Sequence, residues 1–143
     1  MANYYATIRT NYFAVTDEVK FRKIIDSCSA EDTIHILENI APDGTKTFGF
    51  GCYGYISGIH ADADEEDMDE TDLDAFYFAL QSVLAEGDAI IIMEVGNEKL
   101  RYLIGVCTVI TRSDIQGVDV SNKALDLVRT MLANPDFTTE MYY

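Results

Sequence analysis

The chain has no tryptophan, two prolines, three cysteines and ten basic residues against 25 acidic ones among its 143 residues. With so few prolines, long stretches stay open to helix and strand, and a proline-rich linker is excluded. Cys28, Cys52 and Cys107 are odd in number, widely spaced and contain no Cys-x-x-Cys pair. That pattern excludes a dense disulfide framework, gives no zinc or thiol-exchange motif, and predicts free thiols in a reducing compartment. No apolar run approaches the roughly 18 residues that span a bilayer, and the N-terminus lacks a basic region followed by an apolar one. A cytoplasmic location is expected. The scarcity of bases leaves a formal net charge of −15 and a pI near 4.2, which disfavours direct contact with nucleic acid or an anionic membrane and favours a basic partner.

What the chain does have is core material: 48% hydrophobic residues, with seven Phe and nine Tyr, enough for a single domain over residues 1–143. Its charge is uneven. Residues 31–98 hold seventeen acids and one base, Lys46. Within them, nine of the thirteen residues from Asp62 to Asp74 are acidic: Asp62, Asp64, Glu65, Glu66, Asp67, Asp69, Glu70, Asp72 and Asp74. Carboxylates this dense repel one another unless they are solvated, bind a cation or meet a cationic partner. A solvated loop at about 61–71 entering a helix explains Asp72 and Asp74, which favour the positive end of the helix dipole. It does not explain nine acids. Carboxylates along a surface imitate the phosphate spacing of about one charge per 1.7 Å of duplex axis, so these nine residues are the expected partner-binding surface.

Along the chain, Tyr4 to Val15 reads as a strand, and Thr16 as the N-cap of a helix carrying Val19, Phe21, Ile24, Ile25 and Cys28 at helical spacing. Thr33 to Ile40 and Lys46 to Tyr55 form an expected hairpin through Pro42-Asp43-Gly44. Thr71 is placed as the N-cap of a second helix carrying Leu73, Phe76, Tyr77, Leu80, Val83 and Leu84, with Gly87 as its stop. Ala89 to Val95 and Leu100 to Arg112 are near-continuous apolar runs that predict central strands joined by a turn at Gly96-Asn97-Glu98-Lys99. Gly117 to Val120 adds a short edge strand, and Ser121 caps a third helix ending before Asn134-Pro135. This order predicts an α+β fold: a mainly antiparallel sheet of about five strands with three helices packed on it.

Familiar chemistry finds little support. Gly49-Phe-Gly-Cys-Tyr-Gly54 has the glycine spacing of a dinucleotide loop, but no helix follows it and the next charges are carboxylates, so a strand with closely packed glycines is the better reading. Asp62-x-Asp64 opens like a calcium loop, yet Asp67 and Leu73 stand where an EF-hand needs Gly and Glu. His35 and His60 are not at ligand spacing, and no nucleophile with a base can be assembled locally. No catalytic residue, metal or cofactor is therefore assigned.

The stretches Asn3 to Phe13, Phe48 to Gly54 and Glu94 to Tyr102 resemble small acidic proteins carried by conjugative elements and prophages of gut Firmicutes. No catalytic residue carries over from them. The resemblance implies a mobile-element setting in which anti-restriction and anti-CRISPR inhibitors, often acidic DNA mimics, are common. The leading expectation is a non-enzymatic interaction protein that competes with DNA for a basic, nucleic-acid-binding protein. The rival is a small-ligand-binding domain or enzyme whose pocket involves Tyr53, Tyr55, His60 and Arg101, with the acidic loop as a lid. A homodimer is the third possibility.

Overall fold

The computed structural model describes residues 4–60 and 70–139. Six strands form one antiparallel sheet in the order β3-β4-β1-β6-β7-β8. These are β1 (Tyr5–Thr10), β3 (Ile34–Ile40), β4 (Lys46–Cys52), β6 (Ile90–Glu98), β7 (Arg101–Ile110) and β8 (Ile115–Asp119). A separate two-stranded sheet pairs β2 (Ser29–Ala30) with β5 (Ile56–Gly58). With helices α1 (Glu18–Asp26), α2 (Leu73–Val83) and α3 (Val120–Leu132) the fold is α+β, as the sequence pattern predicts. The main sheet has one strand more than the expected five. β1 joins a β3–β4 hairpin on one side to a β6–β7–β8 meander on the other.

The core lies on one face of this sheet, under α1 and α2. From the strands come Ile8, Phe48, Phe50, Ile90, Ile92 and Ile110, and from the helices Phe21, Ile24, Ile25, Phe76, Leu80 and Val83. Phe13 meets Phe21 and Phe50 edge-on, with centroids 5.7 and 6.4 Å apart, and Phe50 meets Phe76 at 5.9 Å. Such pairs add about 0.5–1.5 kcal/mol each beyond their burial. The segment after β1 is an irregular clamp rather than the strand continuation expected to Val15. Phe13 bridges Phe48 and Val15 bridges Leu84, while the Thr16 amide donates to the Val83 carbonyl at 2.7 Å and holds the end of α2.

Helix ends differ from expectation by a residue or two. Asp17 rather than Thr16 caps α1, accepting from the Lys20 amide; Asp72 rather than Thr71 caps α2, accepting from the Asp74 amide; Asp119 rather than Ser121 caps α3. In each case a carboxylate beside a candidate hydroxyl takes the amide, a charge-assisted bond reinforced by the helix dipole. The β6–β7 turn is also displaced. Glu98 pairs with Arg101, so Lys99 and Leu100 make the turn, and Lys99 carries the positive φ of 55°. Gly96 is instead inside β6, opposite Ala6 and Ile104.

Candidate acidic partner surface

Of the nine candidate acids, Asp62, Asp64, Glu65, Glu66, Asp67 and Asp69 lie outside the described residues, while Glu70, Asp72 and Asp74 lie within them and are exposed. What is visible is the neck from which the run leaves and to which it returns. The Asp72 amide donates to the Ile59 carbonyl at 2.7 Å, and the Ile59 amide donates back to the Asp72 carbonyl at 3.2 Å. One residue outward, the His60 ring lies with Nδ1 2.7 Å from the Glu70 carbonyl, to which it donates. Gly58 permits this closure: its φ is +111°, and a β-carbon there would collide with the Asp72 backbone. Asp72 thus both caps α2 and closes the neck.

The neck adjoins the small sheet, whose own acids lie beside it. The Glu31 amide donates to the Tyr55 carbonyl at 2.9 Å, and the Glu31 side chain covers Gly54, which is buried. The Cys52 thiol lies 3.5 Å from the Asp32 carbonyl. Glu31 and Asp32 therefore flank one side of the small sheet, and Glu70, Asp72 and Asp74 the other. No Lys or Arg occurs between Lys46 and Lys99, so β5, the neck and α2 carry no base. Two of the preceding bases are engaged elsewhere. Arg22 and Lys46 form a four-charge corner with Glu18 and Glu38, and the bond from Arg22, with Lys46 assisting, holds the Glu18 carboxyl below the ordinary Glu range.

The residues of the rival pocket are not gathered into one lining. Tyr53 is 73% exposed and stacks edge-on near His35. It borders a hollow of about 530 Å³ with Thr7, Arg9, His35, Leu37 and Gly51, and Tyr55, His60 and Arg101 are absent from that lining. His60 belongs to the neck, and Arg101 lies over the Tyr102 ring at the β6–β7 turn. The glycine motif is a strand: Gly49 and Gly51 lie in β4, where their missing side chains make room for the backbone carbonyls of Asn11 and Ile8 respectively. Among the described residues no three His, Cys, Asp or Glu side chains come together as a metal site, and no helix is long and apolar enough to cross a membrane.

The three cysteines are free thiols. Burial pushes the Cys28 thiol up to about 11, against a bond from the Gly58 backbone that lowers it and with nearby Cys52 adding to the rise. Cys52 is buried and also raised, chiefly by desolvation. Cys28 and Cys107 are half-buried rather than fully buried: Cys28 packs at the margin of the core, and Cys107, opposite Met93 and Val118, lies on the sheet face away from the helices. Compared with protein-family models, curated proteins and solved structures, the chain matches none of them.

Proposed function

We propose that the protein is a non-enzymatic interaction protein that presents Asp62 to Asp74, together with Glu31 and Asp32, to the basic groove of a nucleic-acid-binding protein and competes there with nucleic acid. The observation that carries this reading is the pinned neck at Ile59–Asp72 in a region free of bases. It holds both ends of the acid run beside further carboxylates, on segments that carry no Lys or Arg. Coulomb steering toward a cationic groove follows, and so does salt sensitivity, because the Debye length near 0.15 M salt is about 8 Å. A host defence or DNA-processing protein of the anti-CRISPR or anti-restriction target type has the required chemistry. The test is affinity capture from the source cell with mass spectrometry, followed by displacement of duplex DNA from the captured protein. The wild-type chain displaces the duplex, less so as salt rises. A variant with Asp64, Glu65, Glu66 and Asp67 changed to Asn or Gln folds but displaces it poorly, and undiminished displacement by that variant across a salt series refutes the reading.

A further inference from the structure

The strand register sorts side chains onto two faces. Ile8, Phe50, Ile92 and Ile110 point to the helices, so their neighbours along each strand point the other way. That second face carries Tyr5 on β1, Ile91, Met93 and Val95 on β6, Val109 on β7 and Val118 on β8. Tyr5 is 69% exposed, Met93 49% and Val95 48%. From the β3 edge to the β8 edge, as far along the sheet as the Gly96–Ile104 pair, no strand places an Asp or Glu on this face, and its one Lys or Arg is Arg9. Within those bounds the strand acids Glu38, Glu94 and Asp119 lie on the helix side, and Glu98 pairs with Arg101 beyond them, past the register shift. The strands of a chain with 25 acids thus place no carboxylate on this part of the sheet, and Lys123 and Asp126 of α3 border it beside Cys107 and Val118.

We propose that this face is the interface of a homodimer in which two copies pack sheet against sheet about a two-fold axis. An isologous interface must be complementary to itself. A face whose strands carry no carboxylate meets that condition more readily than a surface that sets carboxylates of one copy against those of the other. Size agrees. At about 4.8 Å between strands and about 3.3 Å per residue, a six-stranded face projects on the order of 600 Å², and side-chain relief brings it near the roughly 800 Å² per partner of a standard interface. The hollow beside Gly51, about 530 Å³, leaves room for side chains of the facing copy. Arg9 lies within the face, between Gly51 and Met93, and its guanidinium turns along the strand to within 3.4 Å of the Tyr12 hydroxyl. The apolar part of the face runs over β6, β7 and β8 through Ile91, Met93, Val95, Val109 and Val118, while β3, β4 and β1 add the polar side chains of His35, Asn39, Thr47 and Thr7.

Sedimentation equilibrium of the full chain tests this. The subunit mass is 16.0 kDa, and a dimer of twice that is expected at about 100 μM and below. Because the interface lacks carboxylates while the two copies repel, dimerisation strengthens as salt rises. Met93→Glu gives monomers with an unchanged circular dichroism spectrum, and Thr7→Glu, at an exposed position of the same face, does so even if Met93→Glu disturbs folding. Met131→Glu, on the apolar side of α3 where the residue is 75% exposed, leaves the dimer intact. Alkylation of Cys107 slows as protein concentration rises. A wild-type monomer at about 100 μM, a dimer that Thr7→Glu does not weaken, dissociation by Met131→Glu, or a dimer that weakens with salt would overturn the proposal.

Discussion

The Tyr4 phenol and Gly96 fit together. A β-carbon placed on Gly96 would lie 2.5 Å from the Tyr4 oxygen, which in turn donates a 2.8 Å hydrogen bond to Oε2 of Glu94 one pleat away. The glycine is needed for this close approach and not for a left-handed turn. Gly96→Ala therefore overpacks the site and lowers stability by about 1–3 kcal/mol. In a Tyr4→Ala background the same substitution costs less, since the whole phenol is gone and only the clash with the Tyr5 carbonyl remains. Thermal melts of the double-mutant cycle check both statements, and additive effects would show that the two residues do not share the site.

Tyr4→Phe alone removes the partner of a half-buried carboxylate. A stability loss of about 1–2 kcal/mol is expected, in the range for a hydrogen bond to a charged acceptor at partial burial. Denaturant titration reads it as a lower midpoint with unchanged slope.

Asp72→Ala should cost about 1 kcal/mol by uncapping α2, while Asp72→Asn, which can still accept from the Asp74 amide, stays close to wild type. Equal losses for the two would mean that the charge, rather than the acceptor, holds the cap. Since the capture reading needs the charge, Asn at this position separates stability from partner binding.

Alkaline pH should destabilise the fold in steps. The Cys28 thiol is raised from 9.0 to about 11 in the folded chain, so above pH 9 the unfolded thiol loses its proton while the folded one keeps it, and stability falls between those values. Tyr77 is raised from 10.0, mainly by burial, and Tyr4 is raised by burial and by Glu94, so they add to the loss above pH 10. Melting midpoints measured from pH 8 to 11 should decline, and Cys28→Ala should flatten the first part of the decline. A profile unchanged by that substitution would remove Cys28 as its cause.

Phe50 is the shared neighbour of Phe13 and Phe76. Phe50→Ala opens a cavity among residues that cannot collapse onto it and should cost about 3–5 kcal/mol. Calorimetry would show it, and a loss below about 1 kcal/mol would place the load-carrying contacts elsewhere.

The α+β class was legible because the patterns that set it are local. Phe76, Leu80 and Val83 mark the buried side of α2 at helical spacing, and the strands of both hairpins are continuous in sequence. What escaped depends on contacts distant in the chain. Gly96-Asn97 looks like a turn until Tyr4 is known to lie on Gly96, and nothing in Lys99 announces its positive φ. β2 and β5, two and three residues long, exist only as each other's partner. The near-continuous apolarity of β6 correctly indicated a central strand, but periodicity cannot tell whether both faces are covered by the same chain. Of the candidate site, the density of acids was visible in the sequence; the Ile59–Asp72 neck was not, because it joins thirteen residues' separation through two backbone bonds.

That neck also bears on how the protein can change over generations. With both ends of the acid run held at Ile59 and Asp72, closing a longer span between them costs only about 0.6 kcal/mol for each doubling of its length. Because both bonds of the neck join backbone groups, its closure does not depend on which side chains fill the span.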